Sequence, residues 1–453
     1  MRLHCPLGAR MQKDGPTQIA RRIVAVMVDG ACDEAALRER MMYSFKPLTP
    51  WLVARAVAWL VDEPAPHSQE ALVARLLVDS DFQRAFACGK VPRRVRWRPT
   101  ERELPSPRIR AAGLPDIESP MALAQWLGIA PGRLAWLADP WGQEARREEG
   151  ALRNYRYGWR AREYGPDRLI EIPKAQLRGI QRRLHRELLA HIPVHDAAHG
   201  FVRGRSPLTH AQLHAGRAAV LRIDLEQFFA GIDAARVAAL FRLVGYAPAV
   251  ATLLAGLCTN NVPTAVLASA PHCPLPFEDR MRLRHAHLPQ GAPSSPALAN
   301  ALAWRLDVRL SAWAARRGLA YSRYADDLTL SGDGIGHRAL RRRAAAVVSI
   351  VEDCGFRVNH RKTCCFGAQH SQRVTGLVVN AHPNIARADY DRLKAILTRC
   401  VRHDPATENR EGHADFRAWL QGRVAWCASV NPRRGEKLQR LFARIRWDGA
   451  GIG

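Results

Sequence analysis

The sequence is poor in the features that secreted and membrane proteins rely on. Its ten cysteines include no C-x-x-C pair and no regular spacing. Cys364 and Cys365 are adjacent, which suits neither a disulfide within one strand nor a metal site. A disulfide framework is therefore excluded and a reducing cytoplasm is implied. No run of 18 apolar residues occurs: Trp51 to Val61 is too short to span a bilayer and carries Arg55. The apolar stretch Ile23 to Val28 is too brief for a secretory leader, and no membrane partner is expected. Acidic residues are also scarce, 42 against 68 Lys and Arg, for a net charge of +26 and a pI near 10.7. An Arg-rich genome would explain Arg replacing Lys, but not this excess of base over acid. Such an excess favours a polyanion partner held largely by salt-sensitive phosphate contacts. What is plentiful is core material: 47% of 453 residues are hydrophobic, enough for two or three domains.

Within this basic chain, Tyr324-Ala325-Asp326-Asp327 stands out, set in the run Tyr321 to Ser331 with Gly332 after it. Successive strand side chains point to opposite faces, so two neighbouring carboxylates cannot both enter an apolar face. They fit at a hairpin tip beside cations. About a hundred residues upstream, Asp224 interrupts the apolar run Val220 to Phe229. Three acids on two neighbouring strands suit Mg²⁺, a hard ion that prefers carboxylate oxygens and leaves room for phosphates.

Further blocks follow in a fixed order: Leu288-Pro289-Gln290-Gly291-Ala292-Pro293-Ser294-Ser295-Pro296 with Asn300, then Gly355 to Thr363, then Arg373 to Asn380. With the acids, these blocks resemble the bacterial retron-type reverse transcriptases from about Arg153 to the C-terminus. Members of that family carry a late Val-Thr-Gly block, intact here as Val374-Thr375-Gly376. Their earlier Asn-Ala-x-x-His block reads His210-Ala211-Gln212-Leu213-His214, keeping the Ala and the last His and replacing the Asn.

The resemblance implies an α+β right-hand polymerase: fingers, a palm with an antiparallel sheet backed by helices, a helical thumb, and an α-helical N-terminal extension. It implies RNA-templated DNA synthesis from dNTPs. Two Mg²⁺ ions, or Mn²⁺, would be held by Asp224, Asp326 and Asp327 with the main-chain carbonyl of Leu225. Lys362 would be the general acid and Phe229 the residue excluding a ribose 2′-OH. Gln290 and Gly291 would lie against the incoming nucleotide. Arg203, Arg205, His214, Val374, Thr375 and Gly376 would contact RNA. The implied partners are a cognate structured non-coding RNA serving as template and primer, its branched RNA-linked DNA product (msDNA), and an effector protein in phage defence. The readings that stay open are a group II intron-like enzyme, disfavoured by the absence of further C-terminal domains, a defence enzyme without a retron RNA, and a silent RNA-binding scaffold.

The chain divides by composition into four parts. Residues 1–90 read as a helical accessory domain, with Pro50 opening one helix and Ser68 to Ala87 forming another. Residues 91–150 combine a basic, Pro-rich linker with short helices opened by Pro120 and Pro131. Residues 151–380 are the fingers and palm. Here Arg162 and Arg168 flank a hairpin turning at Gly165 and could converge on a triphosphate. A basic amphipathic helix follows from Ala175, while Val262 to Arg284 reads as an irregular connector. One helix is expected from Ser294 or Ser295 to Arg317 and another from His337 to Cys354. Residues 381–453 form the helical thumb. Two His-x-x-x-His pairs, His195 with His199 and His210 with His214, suit zinc in spacing, but Gly200, Gly204 and Pro207 interrupt any shared helix.

Overall fold

The computed structural model describes residues 15–28, 34, 37, 38, 41, 50–62, 69–88, 113–140, 142–144, 153–162 and 165–447. Nearly all of the basic, Pro-rich linker and the residue Ser68 lie outside the described residues. The chain packs as two units, residues 1–191 with 233–295, and residues 192–232 with 296–453. Among the described residues no helix is long and apolar enough to cross a membrane.

In the first unit, helices Pro16–Val28, Pro50–Val57, Gln69–Val78 and Ser80–Ala87 bury Ile19, Ile23, Leu52, Leu72 and Phe82 in one cluster. The single helix expected over 68–87 is broken at Asp79, whose carboxylate accepts the N–H groups of Asp81 and Phe82. A short acid satisfies orphan N–H groups better as a cap than within a helix. Arg55 holds the same carboxylate at 2.9 Å. Helices Pro120–Leu127 and Pro131–Ala138 follow, the first capped by Ser119 and ended by Gly128 at φ 69°.

Strands β1 (Tyr155–Arg160) and β2 (Arg168–Pro173) form an antiparallel hairpin with Gly165 in its turn. Helix Ala175–Glu187 buries Leu177, Ile180 and Leu184. On its opposite side Arg183 and Arg186 both bond Glu187, so the basic face is partly neutralised within the helix. Helices Ala234–Val244 and Pro248–Cys258 complete this layer. The stretch expected to be irregular contains two short helices, Thr264–Ala268 and Phe277–Arg284, each preceded by a proline (Pro263, Pro276) whose fixed φ starts the turn.

The second unit is built on β3 (Ala219–Leu225), β4 (Ala320–Tyr324), β5 (Asp327–Gly332) and β6 (Val358–Gly367), antiparallel throughout in the order β4-β5-β3-β6. The inner strand β3 buries Ala219, Leu221, Ile223 and Leu225 on one face, while its other face carries Val220, Arg222 and Asp224. The helix expected from 294 to 317 is Ser295–Leu302 followed by Trp304–Ala315, and that from 337 to 354 is His337–Arg342 followed by Ala344–Asp353. The first interruption is slight, because Ala303 N–H still bonds Ala299 and Asp307 N–H bonds Ala303.

The C-terminal helices Arg387–Arg402, Phe416–Val430 and Pro432–Ala443 share a core of Leu393, Leu397, Leu420, Val424 and Leu438. A two-residue hairpin joins β7 (Arg373–Val374) to β8 (Leu377–Val378) through Thr375 at φ 46° and Gly376 at φ 82°, the left-handed pair that matches strand twist. The architecture is α+β with antiparallel sheets.

Candidate active site

The three acids converge in the second unit. In the antiparallel ladder Asp224 is the register partner of Asp327, and Leu225 N–H donates to the carbonyl of Asp326 at 2.8 Å. Asp326 and its neighbour Ala325 form the tight turn between β4 and β5, with Ala325 at φ 55°. Each flanking acid has its own cation. Arg222 donates to Asp327 through Nη2 at 2.8 Å and Nε at 3.3 Å. Lys362 reaches both oxygens of Asp224 at 3.2 and 3.3 Å.

Lys362 gets there through a bulge. Residues 219–222 of β3 pair with 367–364 of β6, and then Asp224 pairs with Asn359, so 360–363 are looped out on β6 opposite a single residue, Ile223. Thr363 Oγ1 bonds back to the Asn359 carbonyl at 3.0 Å and closes that loop. Bulges re-aim side chains at the edges of active sites.

The electrostatics follow from crowding. Burial raises the pKa of Asp326 above the ordinary carboxylate value, and the charges of Asp224 and then Asp327 raise it further, with Lys362 opposing. Burial likewise raises Asp327, against the pull of Arg222. Three acids that repel one another in a half-buried turn are a donor set whose repulsion a divalent cation relieves. Among the described residues no three acidic, His or Cys side chains are grouped so as to hold a metal ion, and Asp224 and Asp327 are each paired with a cation.

The turn is held from behind by buried polar groups. Arg323 and Asp307 are both fully buried, with Nε and Nη2 on the two carboxylate oxygens at 2.9 and 2.7 Å. Removing one partner of such a pair strands a buried charge and typically costs about 3–5 kcal/mol. Tyr321 O–H donates to the same Asp307 carboxylate at 2.8 Å. Nη1 of Arg323 donates to Asn300 Oδ1 and to the carbonyl of Ala325, both at 3.0 Å. His214 is fully buried against β4 and β5, its ring nitrogens 2.7 Å from Ser322 Oγ and Ser331 Oγ. Rings of His199, His210 and His214 lie in a row 5.7 and 5.5 Å apart, and His210 is 5.9 Å from Tyr324. Burial and the neighbouring His199 push His210 down to about 3, so it stays neutral.

Residues 163–379 match the model of the family described as reverse transcriptase (RNA-dependent DNA polymerase). The chain is 38% identical to the retron Mx65 reverse transcriptase of Myxococcus xanthus over 328 residues, 72% of each chain. It is 36% identical to the retron Mx162 reverse transcriptase of the same organism, over 72% of this chain and 67% of the relative. The chain belongs to the retron reverse transcriptases.

A retron reverse transcriptase is an RNA-directed DNA polymerase, and the reverse transcriptase domain implies the right-hand polymerase fold. The remaining expected site residues of this retron reverse transcriptase fall into two groups. In the first unit Arg168 is exposed and its register partner is Arg160, a cation the sequence pattern had not singled out; Arg162 lies just past β1 and is also exposed. Like charges directly opposed on a hairpin repel unless an anion lies between them. Gln290 and Gly291 lie beside β2: Glu171 N–H donates to the Gln290 carbonyl at 2.9 Å, and a Cβ on Gly291, at φ 135°, would come 2.6 Å from the Glu171 carbonyl. Buried Glu171 in turn takes hydrogen bonds from Asn260 at 2.7 Å and His287 at 3.0 Å. Burial disfavours charge on His287, yet Glu171 holds its pKa above the ordinary value.

In the second unit Phe229 is half-buried, 5.5 Å from the Phe228 ring and 6.1 Å from that of Phe201. Arg203 is exposed. Arg205, expected to meet template, instead donates to the carbonyls of His195, Asp196 and Ala198 and staples its own loop. The expected RNA contacts at His214 and Val374 are corrected by burial. His214 is locked between two serines, and Val374 is enclosed with Ala211, Val220 and Leu377. Thr375, half-buried, donates to the Pro207 carbonyl at 3.1 Å, while Gly376 is exposed at the hairpin tip. Zinc at the His210 and His214 pair is disfavoured, since both ring nitrogens of His214 are engaged.

Proposed function

We propose that this chain copies a cognate structured RNA into DNA, using that RNA as template and primer and leaving branched RNA-linked DNA, as part of a cytoplasmic antiphage system with an effector protein. Asp224 and Asp326 are the ligands of two Mg²⁺ ions, with Asp327 and the main-chain carbonyl of Leu225 in support. The observation that carries this reading is the register pairing of Asp224 with Asp327 beside the Asp326 turn. When bound, the ions supply charge stabilisation at the attacking and leaving oxygens of phosphoryl transfer.

The protein's own groups do the rest. Lys362, paired with Asp224 at 3.2 Å, holds a proton at the mouth of the site and delivers it to departing pyrophosphate. Phe229 presents an apolar ring that excludes a ribose 2′-OH. Arg162 and Arg168, joined by Arg160, bind the triphosphate, and the backbone at Gln290 and Gly291 meets the nucleotide. Arg203, with Gly376 at its hairpin tip, meets RNA. The β1–β2 hairpin belongs to the fingers, the four-stranded sheet is the palm, and the three C-terminal helices are the thumb.

The nucleic acid that copurifies with the chain tests this. Expected is a short DNA joined to RNA through a 2′ linkage, released by a debranching enzyme. Unbranched DNA only, or RNA alone together with copying of unrelated templates, would assign the chain to a reverse transcriptase without a retron RNA.

A further inference from the structure

The turn between β4 and β5 consists of Ala325 and Asp326. Ala325 sits in left-handed backbone at φ 55°, a conformation an L-residue keeps only when its surroundings impose it. The two-residue hairpin calls for a positive φ at its first position, and two contacts hold Ala325 there. On one side Arg323 Nη1 takes the Ala325 carbonyl at 3.0 Å. On the other, the segment around Ala198 runs beside Arg323, with Arg323 N–H on the Ala197 carbonyl and His199 N–H on the Arg323 carbonyl, both at 2.7 Å. That segment delivers Gly200 so close to Ala325 that a Cβ at Gly200 would overlap the Ala325 backbone nitrogen.

One side chain ties the two jaws together. Asn300 Nδ2 donates to the Gly200 carbonyl at 2.9 Å, and its Oδ1 accepts from Arg323 at 3.0 Å. Arg323 is itself fixed by the forked pair to Asp307, and the cluster is buried, so none of its members is left to meet a ligand. A planar fork can serve an acid, an amide and a carbonyl at once, which a lysine ammonium cannot do in the same geometry.

We infer that Gly200, Asn300 and Arg323, anchored on Asp307, form a clamp that sets the peptide between Ala325 and Asp326 and thereby the affinity of the acids for divalent ions. These are positioning residues. Mg²⁺ demands near-ideal octahedral geometry, so small shifts of the turn are felt directly at the ion. The inference rests on the proposed metal-binding role of the acids.

The test uses the full chain and Mn²⁺ alone as probe, titrated with detection by electron paramagnetic resonance, alongside thermal melting and nucleotide kinetics. Gly200→Ala and Arg323→Lys weaken Mn²⁺ binding by about tenfold or more and lower kcat, while KM for dNTP and RNA affinity stay within about twofold. Gly200→Ala is the decisive variant if Arg323→Lys does not fold, since the atoms nearest its added methyl are the backbone of Tyr324 and Ala325. A folded Gly200→Ala chain that binds Mn²⁺ as the parent does overturns the clamp. Asp326→Asn separates the two levels: loss of Mn²⁺ binding there with no effect at Gly200 or Arg323 leaves the metal role standing and removes the clamp, whereas unchanged Mn²⁺ binding in Asp326→Asn overturns both.

Discussion

Asp224 and Asp327 stand opposite one another on adjacent antiparallel strands, and each carboxylate is held by a cation of its own, Lys362 for the first and Arg222 for the second. The pairs differ in setting. The Lys362 side chain is 56% exposed, whereas Arg222 and Asp327 are largely covered. The first is suited to moving a proton or giving way to an ion, and the second to holding a charge in place.

Lys362→Met therefore separates chemistry from stability. An exposed pair contributes about 0–1 kcal/mol, so the melting temperature changes little. Loss of a general acid lowers kcat by roughly 10²-fold or more. Single-turnover extension rates measure it, and a kcat unchanged within a factor of two would remove Lys362 from the mechanism.

Asp326 predicts an inverse relation between stability and activity. Its folded-state pKa is raised by burial and by Asp224, so its contribution favours the folded state at low pH and is lost as pH rises through that raised value. At neutral pH and without divalent ions, Asp326→Asn melts higher than the parent chain. The difference shrinks as pH falls toward the carboxylate range. A variant that melts lower at neutral pH would show that the acid turn is not under charge strain.

Phe229→Ala opens the space where a 2′-OH would sit. Incorporation of ribonucleotides relative to deoxyribonucleotides rises by roughly 10- to 100-fold, the scale on which an apolar pocket discriminates a hydroxyl. Competition between dGTP and GTP on one template reads this ratio. An unchanged ratio would assign Phe229 to packing against Phe228 and Phe201 only.

The net charge of +26 implies phosphate-dominated RNA binding. The logarithm of the association constant falls linearly with the logarithm of salt, with a slope of about −0.7 to −0.9 per phosphate neutralised. Filter binding between low and moderate salt gives the slope, and a flat response would contradict the polyanion reading.

The acid turn was legible in the sequence because its signals are local: an Asp pair between β-prone runs, and a lone Asp in an apolar strand. The helix starts at Pro50, Pro120 and Pro131 were legible for the same reason. The clamp was not, because Arg323, Asn300, Asp307 and Gly200 are polar or small residues scattered over more than a hundred positions, and nothing local distinguishes a buried Arg from a solvated one. The bulge that aims Lys362 at Asp224 was missed because strand slippage depends on pairing with β3. His214 and Val374 were misassigned to RNA contact because a motif carries no information on which way its side chains face. Arg205 shows the same limit: an Arg in a basic loop reads as a phosphate ligand until three carbonyls claim it.

The most direct test is Asp326→Asn assayed for both primer extension and RNA affinity on the same preparation. Extension falls below detection while the dissociation constant for RNA stays within a few-fold of the parent. Retained extension, or loss of RNA binding in step with it, would contradict a metal-dependent catalytic role for the Asp224, Asp326 and Asp327 cluster.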